Sequence, residues 1–189
     1  GLRYASYLSF EILLYATIIK LLSLLGISRI KMPLDLCREQ KIAFEYLTYD
    51  AFKKFNSDSA GEYDYLVSIR FSKILNQQLL KIAKKGAINF HGSLLPRYAG
   101  IGTIFRSISR REQHVGGSFH VITHKIDQGR ILAQSRFPVN NKKSVSFHHL
   151  KTYLESSKLL IEAINRFDAQ EISSNPRTDC FEHFTFPDK

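Results

Sequence analysis

An asparagine and a histidine stand two residues apart in a short apolar stretch of the chain, at Asn89 and His91. Residues 87–90 are predicted to form a β-strand, and alternation along a strand places such a pair on the same side. An amide offers hydrogen-bond donors and an acceptor, whereas an imidazole changes its protonation state near neutral pH. Together the two groups can hold a carbonyl oxygen and move a proton. An isolated pair is more often a loop cap beside a surface histidine, so this interpretation needs further residues.

A carboxylate supplies that support at Asp127, which lies 36 positions beyond His91. Residues 117–123 and 130–139 alternate as two strands around an Asp-Gln-Gly turn, and this pattern predicts a hairpin with Asp127 at its tip. A carboxylate there can orient an imidazole or direct a proton through water.

The elements that position Asn89 and His91 read as strand, helix and strand, over residues 63–70, 77–85 and 87–90. A crossover of this length predicts parallel strands in an α/β sheet. Ligands of such sheets bind at the carboxyl ends of the strands, which is where Asn89 and His91 fall.

Several other elements follow from apolar periodicity. They are a helix at 4–25, a short helix at 34–40, a strand at 42–47, and two further helices at 104–111 and 144–167. Glu11 and Lys20 interrupt the first helix, which leaves too few uncharged residues to span a membrane. His148 and His149 are expected at the surface.

Length and composition indicate one globular domain, residues 1–189. The net charge of +10 favours anionic partners, although no stripe of alternating basic and aromatic residues is evident. Two cysteines far apart indicate a reducing, cytoplasmic setting and no metal site.

Three segments, in this order along the chain, resemble elements of the folate-dependent formyltransferase family. They are SKIL at 72–75, NFHGSLLPRYAG at 89–100, which we term the signature loop, and DQGRIL at 127–132. The resemblance covers residues 42–167. It implies a Rossmann-like α/β core with a mostly parallel sheet flanked by helices, and a late hairpin.

The resemblance also implies a reaction: a formyl group passes from 10-formyltetrahydrofolate to a primary amine, without a metal. Asn89 and His91 would donate hydrogen bonds to the oxyanion that develops on the formyl oxygen. Asp127 would position His91 or a water and help carry the amine proton towards N10 of the folate. The implied contacts of the folate donor are Lys73, Ile74, Leu75, Ser93, Leu95, Pro96 and Ile122.

Some positions depart from the family pattern. Residues 123–126 read THKI where relatives often carry acidic side chains, and Ala99 stands where many carry arginine. The family's opening strand is missing before Tyr4, so we expect a fragment, with residues 171–189 as a tail or linker.

The acceptor stays open between a transfer RNA of the methionyl type and a nucleotide-linked amino sugar. A hydrolase of 10-formyltetrahydrofolate and a non-catalytic folate-binding module are the alternative functions. The hydrolase would use the same three residues, with water in place of the amine.

Overall fold

The computed structural model describes residues 21, 24–25, 37–43, 61, 63–71, 74–75, 77–169 and 182–185. By its contacts the chain divides into two compact units, Gly1–Phe55 and Asn56–Lys189. In the first unit, the N–H of Leu25 donates to the carbonyl of Leu21 at 3.0 Å, as in a helical turn.

Helical residues 37–39 fall within the predicted helix at 34–40. The remaining residues of that helix, most of the predicted helix at 4–25 and most of the strand at 42–47 lie outside the described residues.

The second unit holds the elements that position the site. In chain order they are β1 (Tyr63–Ile69), α1 (Gln77–Leu80), β2 (Ala83–His91), β3 (Ala99–Gly100), α2 (Thr103–Ser109), β4 (His114–Val121), β5 (Ile131–Pro138), α3 (Val145–Ser157), α4 (Leu160–Asp168) and β6 (His183–Phe184). Of the described strands, β3 and β6 pair in a two-stranded sheet, and the other four form a mixed sheet in the order β1-β2-β4-β5. The first pair is parallel and the other two are antiparallel, so both the predicted parallel pair and the predicted hairpin are confirmed.

The first crossover differs from its prediction. Helix α1 ends at Leu80 instead of residue 85, and β2 begins at Ala83 instead of residue 87. The carbonyls of Lys81 and Ile82 accept the N–H groups of Gly61 and Tyr63 at 3.0 and 3.1 Å. Pairing with Gly61 and with the first residue of β1 therefore overrides the helical preference of the lysines in this segment.

The predicted helix at 144–167 is two helices, α3 and α4. Ser144 caps the first as its hydroxyl accepts the N–H of Phe147 at 3.2 Å. Near its end, the Ser157 hydroxyl donates to the carbonyl of Leu154 at 3.0 Å, and Ser156 hydrogen-bonds Ser135 of β5 at 2.7 Å. Serine side chains that bond backbone or neighbouring groups in this way weaken a helix interior, which accounts for the break.

The main core lies between the sheet and α4. Its buried members are Ile88, Phe90, Phe119, Leu132, Ala133 and Ala163. Burial of each large side chain stabilises the fold by about 1.5–3 kcal/mol. Because alternate residues of β2 enter this core, Asn89 and His91 face the opposite side of the sheet.

His148 is buried instead of lying at the surface, with 1% of the residue exposed. Its Nδ1–H donates to the carbonyl of Ser144 at 2.8 Å, and its Nε2 accepts the N–H of Asn140 at 3.0 Å. The ring therefore holds the connection between β5 and α3. Among the described residues, the helices are all too short or too polar to cross a membrane.

Candidate active site

The site lies where β2 ends beside β4. Antiparallel pairing sets Asn89 opposite His120 and His91 opposite Ser118. The signature loop then turns back towards His91, and the loop after β4 brings Asp127 to the same place. The structure thus brings together Asn89, His91 and Asp127, the three predicted catalytic residues.

The environment of His91 defines its tautomer. Its Nε2 lies 2.7 Å from the carbonyl oxygen of Tyr98, and since a carbonyl only accepts, Nε2 carries the hydrogen. The hydroxyl of Ser93 donates to the same carbonyl. Nδ1 lies 3.6 Å from Oδ2 of Asp127. Burial lowers the pKa of His91 below its ordinary value, against the opposing effect of Asp127, so the ring is neutral at pH 7 and Nδ1 carries a lone pair.

Asp127 is held as a carboxylate between two imidazoles. Its Oδ2 accepts the N–H of Gly100 at 2.8 Å, and its Oδ1 lies 3.5 Å from Nε2 of His120. Burial raises the pKa of Asp127, but its contact with His120, its electrostatic interaction with His91 and the Gly100 N–H together lower it below the ordinary value. Its φ of 55° is in the left-handed region, which aspartate tolerates better than most residues.

His120 is the residue of this cluster that sequence reasoning missed. It is 3% exposed, and its Nδ1–H donates to the carbonyl of Val121 at 3.0 Å. Nε2 then accepts from Nδ2 of Asn89 at 3.0 Å, which fixes the orientation of that amide. The available signal was a histidine inside the predicted strand at 117–123. The strand register that sets it opposite Asn89 could not be read from the sequence.

The pair of His91 and Asp127 carries one negative charge, on Asp127, beside a neutral ring whose Nδ1 lone pair faces it. It can take up one proton and become a neutral ion pair, which is the property required of a general base. Asn89 keeps a second N–H that His120 does not use. Among the described residues, no group of three or more histidine, cysteine and acidic side chains is arranged to hold a metal ion.

Two of the predicted donor-binding residues, Ser93 and Leu95, also support the signature loop. Ser93 is 1% exposed, and its carbonyl accepts the hydroxyl of Ser118 at 2.6 Å. The buried Leu95 donates its N–H to that same hydroxyl at 3.0 Å and accepts from Gln134 Nε2 at 2.9 Å. These contacts hold the loop in place, and the donor-binding role of Ser93 and Leu95 stays a prediction.

The remaining predicted donor contacts are more accessible. Ile74 is 74% exposed, whereas Leu75 and Pro96 are half-buried. Ile122 is half-buried too, and its N–H donates to the carbonyl of Ala87 at 2.9 Å. Lys73 lies outside the described residues, and the donor-binding role of this group stays a prediction.

Residues 182–185, expected within the tail or linker, pair with the signature loop. The N–H of Ala99 donates to the carbonyl of Glu182, and the N–H of Ile101 to that of Phe184, both at 3.0 Å. Between them, Gly100 has φ +86°, and a Cβ there would lie 2.0 Å from the Phe184 carbonyl oxygen. Only glycine fits this turn.

Comparison with known proteins identifies the family. Residues 27–164 match the family described as Formyl transferase. The chain belongs to this family. It is 33% identical over 116 residues to a methionyl-tRNA formyltransferase of Enterococcus faecalis, which covers 61% of this chain and 37% of that protein.

The chain thus spans little more than a third of that relative's length. It is also 31% identical over 121 residues to the bifunctional polymyxin resistance protein ArnA of Wigglesworthia glossinidia brevipalpis, covering 64% of this chain and 18% of that protein. A solved 4-N formyltransferase from Francisella tularensis superposes with a TM-score of 0.62 at 20% identity, over 81% of this chain and 60% of that one. This likeness confirms the expected Rossmann-like fold.

Proposed function

We propose that this member of the formyltransferase family carries the catalytic site that transfers a formyl group from 10-formyltetrahydrofolate to a primary amine. The observation that carries the proposal is the neutral His91, whose Nδ1 lone pair lies 3.6 Å from the Asp127 carboxylate. A base of this kind suits removal of a proton from an amine at neutral pH.

In the first step the amine nitrogen bonds to the formyl carbon, and the π electrons of the carbonyl move to its oxygen. The free N–H of Asn89 stabilises that oxyanion, an interaction that contributes about 3–4 kcal/mol per donor in comparable sites. His91 accepts the amine proton at Nδ1, and the imidazolium pairs with Asp127.

In the second step the oxyanion re-forms the carbonyl and the bond from carbon to N10 of the folate breaks. N10 keeps the electron pair and receives the proton that His91 holds. The tautomer of His91 changes one expectation: the ring donates from Nδ1 only after it has taken the amine proton, so it acts first as a base and not as an oxyanion donor.

Methionyl-tRNA is the acceptor that the curated relative's name supports, and the net charge of +10 suits a polyanion. A nucleotide-linked amino sugar is the second acceptor to test. The single domain over residues 1–189 stays a proposal, supported by a family match that includes residues of both compact units. The cytoplasmic location also stays a proposal.

The test incubates the protein with 10-formyltetrahydrofolate and either acceptor, and measures the formylated product by mass spectrometry. We expect His91→Gln to slow transfer by about 10²-fold or more, as for loss of a general base. His149→Gln replaces a half-buried histidine of α3 outside the cluster and should leave transfer unchanged.

Two results would overturn the proposal. Formate release at the same rate without any amine would identify a hydrolase. Tight binding of a folate analogue without turnover of either acceptor would identify a non-catalytic module.

A further inference from the structure

A groove of about 390 Å³ lies outside the catalytic cluster, between the signature loop, the end of α2 and the edge formed by β4 and β5. Its volume is within the range of small-ligand sites. The polar side chains that line it include Arg97, Arg110, Arg111, Glu112, His114 and Arg136.

Two of these arginines are neutralised by carboxylates. Arg97 pairs with Glu112 at 2.8 Å and with Glu182 at 3.5 Å, and Arg110 also pairs with Glu182. Both guanidinium groups lie over the ring of Tyr98, at 5.6 and 6.0 Å from its centroid. Arg97 and Arg110 therefore stabilise the fold, and carboxylates compensate their charges.

Arg111 and Arg136 are different, because neither has a carboxylate partner among the described residues. The side-chain partner of Arg136 is His114, whose Nδ1 accepts from Nη2 at 3.4 Å. That contact assigns the lone pair of His114 to Nδ1 and leaves its Nε2–H as a further donor. The groove thus presents two uncompensated positive charges and a ring N–H donor.

The backbone at Arg111 is a second observation. Helix α2 ends with hydrogen bonds from Arg111 N–H to the Ile108 carbonyl at 2.9 Å and from Glu112 N–H to the Ser107 carbonyl at 3.0 Å. This ending places Arg111 at φ +58°, a position that glycine normally occupies. An arginine at this position adopts an unfavourable backbone conformation and places its guanidinium at the groove. Such strained positions are typical of functional sites.

We propose that this groove binds a phosphate group between Arg111 and Arg136. Guanidinium groups match phosphate oxygens with paired hydrogen bonds, and the free Nε2–H of His114 adds a third donor. The ligand is a phosphate ester, supplied either by a small phosphorylated compound or by a nucleic-acid strand. Because Leu94 and Leu95 form part of the wall, the bound phosphate lies beside the signature loop.

Direct binding measurements test this assignment whether or not the protein transfers formyl groups. The probes are a short fluorescein-labelled single-stranded RNA, followed by anisotropy, and ribose 5-phosphate with ribose as its uncharged control, followed by calorimetry. Arg111→Gly suits the left-handed backbone, so it should fold with an unchanged or higher Tm. Arg111→Gly and Arg136→Gln should each weaken binding about tenfold, as expected for loss of a charge-assisted pair.

Lys81→Gln is the matched control, because it removes an exposed positive charge outside the groove. If both probes bind and only the arginine variants weaken that binding, a small phosphate ester is a sufficient ligand. Binding of RNA alone with the same variant pattern supports a strand phosphate. The assignment fails if Lys81→Gln weakens binding as much as the arginine variants do, or if the arginine variants bind like the wild type. It also fails if ribose binds as well as ribose 5-phosphate, or if neither probe binds.

Discussion

Replacement of Asp127 by asparagine tests the central feature of the site, the carboxylate between two imidazoles. The oxygens of Asp127 lie 3.6 Å from His91 and 3.5 Å from His120. An asparagine oxygen can still accept the N–H of Gly100, so the variant removes the charge and keeps the loop contact. The replacement therefore separates electrostatics from structure.

The magnitude follows from the distance. Between Asp127 and a protonated His91, Coulomb attraction is about 4–5 kcal/mol at an effective dielectric constant of about 20. Burial of the carboxylate opposes this attraction, so we take about 2–3 kcal/mol as the net stabilisation of the imidazolium. At about 1.4 kcal/mol per factor of ten, transfer should slow by about 30- to 150-fold.

Single-turnover formyl transfer, measured against pH, is the assay. Asp127 raises the pKa of His91, so its neutralisation should move the acid limb of the profile to lower pH while the plateau falls. The control is Asp64→Asn, which replaces an exposed carboxylate of β1 and should leave the acid limb and the plateau unchanged. A wild-type rate in Asp127→Asn, or an acid limb that moves to higher pH, would refute the reasoning.

Three further predictions concern stability. The folded-state pKa values of His91 and Asp127 are both lowered, so the unfolded chain binds more protons than the folded one. The free energy of unfolding, measured in urea, should therefore fall as the pH drops below about 6.5 because of His91, and fall further below about 3.8 because of Asp127. A free energy of unfolding that does not change with pH would contradict this. Gly100→Ala should lower the free energy of unfolding by about 1–3 kcal/mol through its positive φ and the Phe184 carbonyl, and an unchanged Tm would argue against that turn. Ser118→Ala leaves the Leu95 N–H without its acceptor and should cost about 1–3 kcal/mol in urea unfolding; full wild-type stability would show that another acceptor replaces it.

The parts of the site that the sequence predicts are those set by local chain geometry. Asn89 and His91 share a face because they alternate in one strand, and Asp127 follows from a hairpin whose two strands are adjacent in the chain. His120 could not be assigned in this way. Its contact with Asn89 depends on the register between β2 and β4, which packing of the whole sheet decides.

Element boundaries show the same limit. The lysines at 84 and 85 favour a helix locally, but residues 81–82 pair with Gly61 and with Tyr63 at the start of β1, and the two lysines join β2. The basic and aromatic cluster around Tyr98 is also invisible as a stripe in the sequence. It forms from Arg97, Arg110 and Phe184, whose positions in the chain are far apart.

One short segment, residues 182–185, connects the candidate catalytic cluster to the arginine groove. Glu182 neutralises Arg97 and Arg110, which leaves the guanidinium groups at Arg111 and Arg136 as the uncompensated charges of the groove. The same segment stacks Phe184 on the ring of Tyr98, with centroids 5.8 Å apart, and the Tyr98 carbonyl decides which nitrogen of His91 carries the hydrogen. Residues 182–185 therefore contact the arginines at one side of the groove and also Tyr98, the residue whose carbonyl fixes the tautomer of His91.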